Sequence, residues 1–159
     1  MGNRAVVIFA NQDETSISPA VYLHWNGGPE AIYPFLDEMD RRHLRADQDY
    51  EAARFIQLVG EFMDQDTRSS LSLGVWNSPP AISIEELKKL EQGDNGVYVV
   101  CRNGKGRKVR RFACYPFREL DEMAVARELK EAMSHEYNSG AETIASYFAA
   151  DPRPIDEAS

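Results

Sequence analysis

The spacing of apolar residues changes period several times along this chain, and each change marks an element. Arg4 to Ala10 (RAVVIFA) is an unbroken β-branched and aromatic run that reads as a strand, and the Asn11-Gln12-Asp13-Glu14 cluster after it favours a turn. Val21-Tyr22-Leu23-His24-Trp25 is a second strand-like run, so the two predict an N-terminal hairpin. Pro19 has no N–H for a ladder, which puts the start of the second strand at Ala20. Asn26-Gly27-Gly28-Pro29 stops that strand, and Ile32, Phe35, Leu36 and Met39 then recur at helical spacing. Pro34 conflicts with a helix interior and predicts that the regular helix begins near Tyr33 instead of Pro29. From Asp49 to Asp64, residues Ala52, Phe55, Ile56, Leu58, Val59, Phe62 and Met63 form a broad apolar stripe, with Asp47 or Asp49 placed to cap the first turn.

Leu71-Ser72-Leu73-Gly74-Val75-Trp76 alternates with period two and reads as a half-buried strand, ended by Asn77-Ser78-Pro79-Pro80. Ser83 and Glu86 form a capping box ahead of Leu87 and Leu90, predicting a short helix. Asp94-Asn95-Gly96 is a turn leading into Val97 to Cys101, and Asn103-Gly104 leads into Val109 to Tyr115, a second hairpin. Met123, Ala126, Leu129 and Met133 give helical periodicity from about Asp121 to Tyr137. Asn138-Ser139-Gly140 interrupts it, and Ser139 with Glu142 restarts a short helix through Ile144, Tyr147 and Phe148. Hairpins and paired helices, without regular strand–helix alternation, predict an α+β fold: an antiparallel or mixed sheet of about five strands with one layer of helices packed on it. Residues 1–150 are expected to form one domain, and residues 151–159, with two prolines and little apolar content, a flexible C-terminal tail.

Composition adds limits. At 159 residues with 43% hydrophobic and 28% charged positions, the chain has the make-up of a folding domain. No stretch has the roughly 20 apolar residues that span a bilayer, and the opening residues lack the apolar run of a secretion signal. Two cysteines, Cys101 and Cys114, are too few for a disulfide framework and lack the companions of a zinc site. The expectation is a protein of the cytoplasm with no membrane contact.

Charge changes the picture further. The net charge is −8, yet the stretch from Cys101 to Arg118 carries seven basic residues (Arg102, Lys105, Arg107, Lys108, Arg110, Arg111 and Arg118) and no acidic one. An acidic body with a basic hairpin suits either a nucleic-acid contact or an acidic protein surface. Lys108 and Arg110 share one strand face while Arg107 and Arg111 point to the other. The same charges also suit an exposed edge protected against aggregation.

Other candidates for chemistry are sparse. His24, His43 and His135 are far apart, with no paired metal spacing, and neither a cysteine nor a serine sits in a nucleophile motif. His24 alternates with Tyr22 and shares its face, as a structural or surface histidine would. His24-Trp25-Asn26-Gly27-Gly28 is the most unusual local run: two glycines before a helix can expose N–H groups to an anion, or can simply let the chain reverse while Trp25 packs in the core. Asp94-Asn95-Gly96 lacks the alternating ligands of a calcium loop and reads as a plain turn. No catalytic residue, metal site or cofactor is assigned, and a non-enzymatic role is favoured.

Gly2-Asn3-Arg4-Ala5-Val6, Val21 to Gly28 with its Tyr-Leu-His-Trp-Asn-Gly-Gly block, Asp49-Tyr50 with Ala53-Arg54-Phe55, Leu71-Ser72-Leu73-Gly74 and Asp94 to Tyr98 together resemble a family of small proteins of phages, plasmids and other bacterial mobile elements. The resemblance spans about residues 2 to 101; the helical segment from Asp121 lies outside it. It implies an inhibitor of host defence of the anti-CRISPR kind, acting by protein contacts on a bacterial complex such as a CRISPR effector. On that basis Arg102, Lys105, Arg107, Lys108, Arg110 and Arg111, with His24, Trp25 and Asn26, are the expected binding residues. The alternatives are a nucleic-acid-binding regulator using the hairpin, and a small ligand-binding domain or enzyme using the Gly27-Gly28 turn. Oligomeric state is left open.

Overall fold

The computed structural model describes residues 2–42, 44–45, 47–63, 71–74, 76, 82–103, 106–134 and 139–150. They form an α+β fold with the elements β1 (Ala5–Ala10), β2 (Ala20–Leu23), α1 (Pro29–Arg41), α2 (Gln48–Phe62), β3 (Leu71–Gly74), α3 (Ile84–Lys88), β4 (Val97–Asn103), β5 (Gly106–Ala113), β6 (Arg118–Glu119), α4 (Glu122–Ala132) and α5 (Ser139–Ala149). The sheet is mixed and six-stranded, in the order β3-β2-β1-β4-β5-β6. Both expected hairpins form, with Val7 opposite Val21 in the first and Val100 opposite Val109 in the second. They are joined by parallel pairing of β1 with β4, Val6 against Val97 through Ala10 against Cys101. The sixth strand, absent from the expected five, is a two-residue return beside β5 that no periodicity announces.

Period-two alternation divides the sheet into two cores. Ala5, Val7, Phe9, Val21, Leu23, Tyr98 and Val100 face α1, α2, α4 and α5, where Phe35 meets Phe55, Phe62 and Phe148 at centroid distances of 6.1, 5.7 and 6.3 Å. Val6, Ile8, Ala10, Ala20, Val97, Val99, Cys101 and Phe112 face the other way, under Ile82, Leu87 of α3, Trp76 and Phe117. One helical layer was therefore too few: β1 and β4 are apolar on both faces, and a short helix with its flanking segments covers the second.

Two of the expected caps form: Asp47 accepts from the N–H groups of Asp49 and Tyr50, and Ser83 from that of Glu86. Asp121, which the sequence reading did not single out, caps α4 by accepting from Ala124. Pro34 does not delay α1, which starts at Pro29. An interior proline costs about 3 kcal/mol, and burying Ile32, Phe35, Leu36 and Met39 at roughly 1.5–3 kcal/mol each outweighs it. The periodic residues of α4 are a second correction. The helix forms, but Met123, Leu129 and Met133 are exposed while Ala132 is buried, and Glu128 is turned inward to bond Tyr33 and Arg111. β5 ends before Tyr115, whose φ of 61° leaves the strand region. The expected Ser139–Glu142 cap and the tail at 151–159 lie outside what is described, the first in its side chains.

Candidate functional site

The arginines of the second hairpin are held by carboxylates from elements far apart in sequence. On the helix face, Arg102 hydrogen-bonds Glu51 of α2 at 2.6 Å and is ion-paired with Asp40 of α1 at 2.7 Å. Arg107 bonds Asp40 at 2.9 Å and Asp37 at 3.1 Å. Arg111 is buried over the Tyr98 ring, 4.1 Å from its centroid, and donates to Glu128 at 2.9 Å and to the Phe112 carbonyl at 2.9 Å. On the opposite face, Arg110 forks onto Glu119 through two bonds of 2.8 Å and reaches Glu14 at 2.6 Å. Lys108 is exposed on that face, and Arg118, also exposed, donates to the Pro116 carbonyl at 3.0 Å. Lys105 lies outside the described residues, as do His43 and His135.

Titration follows this pairing. Hydrogen bonds from Arg110 hold the Glu119 carboxyl below its ordinary value. Burial pushes Glu51 up, and the Arg102 charge offsets only part of that rise. Burial and the Glu91 carboxylate push the Cys114 thiol up to about 11, so it stays protonated at neutral pH. The expected sorting of charge into a negative body and a positive ribbon is thus not what the fold displays. Arg102, Arg107, Arg110 and Arg111 clamp the hairpin to α1, α2, α4 and the sheet edge.

Asn3, Arg4, His24, Gly27 and the Asp94–Tyr98 segment meet elsewhere, at one end of the sheet. Asn3 N–H donates to the His24 carbonyl at 2.8 Å, Gly27 N–H to the Asn3 carbonyl at 2.8 Å, and Asn95 N–H to the Arg4 carbonyl at 3.0 Å. Asp94 accepts from both the backbone N–H and Nε of Arg4 at 3.0 Å, which holds its carboxyl low. The buried Tyr98 hydroxyl donates to the Gly27 carbonyl at 2.9 Å. Gly27 is required here, because a Cβ would lie 2.5 Å from the Asn3 oxygen. Asn26 takes φ 61°, a left-handed conformation that asparagine tolerates, to turn the chain from β2 into α1. Beside Gly28 stands the chain's own Glu30 carboxylate, within 2.4 Å of where a Cβ would be. An external anion at this turn would therefore meet a negative neighbour.

Above this network lies a surface rich in aromatic residues. Trp25 is 46% exposed instead of packing in the core, its ring edge-on to His24 at 5.0 Å. The Tyr22 hydroxyl and His24 Nδ1 share a hydrogen bond of 2.9 Å. Tyr115 is 79% exposed, with its hydroxyl and an Arg4 guanidinium nitrogen both against Gly93. Tyr22 also lines an open groove of about 460 Å³, together with Val6, Ala20, Ser72 to Gly74 of β3, Lys89 and Leu90. No helix among the described residues is long and apolar enough to cross a membrane, and no group of three or more metal-ligating side chains occurs among them.

Comparison with protein-family models, curated proteins and solved structures finds no match. Of the expected binding residues, the fold brings His24, Trp25 and Asn26 together with Arg4, Asp94 and Tyr22, and holds the hairpin arginines in a separate set of ion pairs. Arg4, Tyr22, Asp94 and Tyr115 escaped the sequence reading. The one available signal was the Asp94-Asn95-Gly96 turn, which the sequence marks without showing that Arg4 lies against it.

Proposed function

We propose that this chain is a non-enzymatic binding protein that recognises a protein partner through the aromatic end of its sheet. What carries the reading is the exposure of Trp25, edge-on to His24, and of Tyr115, whose hydroxyl meets Arg4 over Gly93 beside the Arg4–Asp94 pair. Tryptophan, tyrosine and arginine on a preorganised backbone are the residue types that dominate binding energy at protein interfaces. Following the resemblance to mobile-element proteins, the partner is a bacterial defence complex such as a CRISPR effector, which the chain inhibits from within the host cell. A net charge of −8 favours approach to a basic nucleic-acid-binding groove. A nucleic-acid ligand is disfavoured because four of the hairpin arginines already serve carboxylates of the chain itself.

The test is affinity purification from a bacterial host carrying CRISPR or restriction systems, with wild type beside Trp25→Ala and Tyr115→Ala. Capture of a stoichiometric protein complex by the wild type, weakened about tenfold or more by either variant, is the expected result. Absence of any stoichiometric partner together with unchanged phage sensitivity, or capture that both variants retain in full, overturns the proposal.

A further inference from the structure

The two edges of the sheet are protected differently. At one edge, β6 is Arg118-Glu119, beside Arg110 of β5, and charges there discourage a further strand. At the other edge, β3 is Leu71-Ser72-Leu73-Gly74, without a charge or a proline, and among the described residues it pairs only with β2. Its register sets Leu71 opposite Leu23 and Leu73 opposite Val21, so both leucines stand on the helix face of the sheet. Ser72 and Gly74, opposite Tyr22 and Ala20, stand on the other face, beside the groove. Leu71 is partly buried against the core, whereas Leu73 is 59% exposed.

We propose that β3 is a self-pairing edge through which two copies of this chain join into one continuous sheet. The outer row of backbone donors and acceptors on a terminal strand selects an extended chain as its partner, and the side chains select a second β3. A two-fold axis normal to the sheet through Ser72 keeps the faces in register. It sets Ser72 against its own copy and Leu71 against Leu73 of the other copy, twice. A two-fold through Leu73 sets Leu73 against its own copy, which among the described residues gives one leucine pair where the Ser72 register gives two. The strand has no charge to oppose its own image across the axis. Ser72 and Gly74 are small, so no side chain of β3 blocks the approach on the groove side. The pairing uses none of Trp25, Tyr115, Arg4 and Asp94, on which the proposed partner site rests.

Sedimentation of the full chain over a range of concentrations tests this. The wild type is expected to pass reversibly from monomer to dimer, and Leu73→Lys to weaken that association by about tenfold or more, since two cross-strand leucine pairs are lost at once. As a separate readout, Ser72→Cys on the axis forms a disulfide-linked dimer on mild oxidation, at Cα separations typical of opposed strand residues. Lys108→Cys, exposed and remote from β3, serves as the control for the two native thiols and stays monomeric. A wild type that remains monomeric throughout overturns the inference. So does a dimer that Leu73→Lys leaves equally tight, or a Ser72→Cys chain that links no more readily than the control.

Discussion

Replacing Glu51 by leucine while leaving Arg102 in place should destabilise this protein strongly, and replacing both should not. Glu51 is 2% exposed and Arg102 12%, and their 2.6 Å contact is backed by the ion pair of Arg102 with Asp40 at 2.7 Å. Removing one partner from a buried pair costs roughly 3–5 kcal/mol, because a charge is left desolvated without compensation. Asp40 retains part of that compensation for Arg102, which brings the expected loss for Glu51→Leu to about 2–4 kcal/mol. In a domain of this size, that corresponds to a fall in Tm of about 5–15 °C. The double variant Glu51→Leu/Arg102→Met desolvates neither charge, and Asp40 keeps Arg107, so its stability should lie within about 1 kcal/mol of wild type. Thermal and urea unfolding at pH 7, followed by circular dichroism, measure both. A double variant as unstable as the single, or a single variant within about 0.5 kcal/mol of wild type, refutes the view that the hairpin is clamped by desolvated charge.

Because burial raises the Glu51 carboxyl above its ordinary 4.5, the folded chain holds that proton more tightly than the unfolded one, and the contribution of Glu51 to stability falls as pH rises from 4.5 through the raised value; Glu51→Gln should therefore gain on wild type over that window in pH-dependent melts. Glu119 is held low by Arg110, so its stabilisation is full above 4.5 and fades as pH falls through the lowered value, and Glu119→Gln should be at its greatest disadvantage at neutral pH. Gly60 of α2 has nothing within 4 Å of an added Cβ, so Gly60→Ala should stabilise by about 0.5–1 kcal/mol; Gly96→Ala, at φ +72° with its Cβ 2.1 Å from the Phe112 oxygen, should lose more than about 2 kcal/mol in the same denaturation assay. Alanine at Arg107, Arg110 and Arg111 should lower Tm and leave nucleic-acid affinity unchanged at low salt; a steeply salt-dependent complex that those changes abolish would contradict the ion-pair assignment.

The elements were legible wherever the deciding chemistry was local. Ser83 and Asp47 announce their helices because an N-cap acts within three residues, and Ala20 starts β2 because Pro19 cannot donate. The destination of the arginines was illegible because Asp37, Asp40, Glu51, Glu119 and Glu128 reach them from α1, α2, β6 and α4 through tertiary packing. A count of charges along the chain cannot register that. Likewise the Met123–Met133 periodicity identifies a helix but not the rotation that turns Glu128 inward, which is set by Tyr33 and Arg111. The run around Trp25 stood out in the sequence, but the exposure of Trp25 did not, because the turn that follows it is held by Tyr98 and Asn3 bonding Gly27, contacts that join distant segments.

The parallel seam between β1 and β4 fixes when this molecule can be completed as well as how it looks. β1 is apolar on both faces and is made well before β4, the neighbour that seals one of its sides and begins only at Val97. A nascent chain that has not yet released β4 from the ribosome carries its most water-averse strand with one flank open, however well the first hairpin has formed. Distant pairings of this sort are slow to close because the intervening chain must first be gathered in. Truncations that stop short of β4 should for that reason aggregate, and synthesis of the second hairpin is the step that commits the first to its final shape.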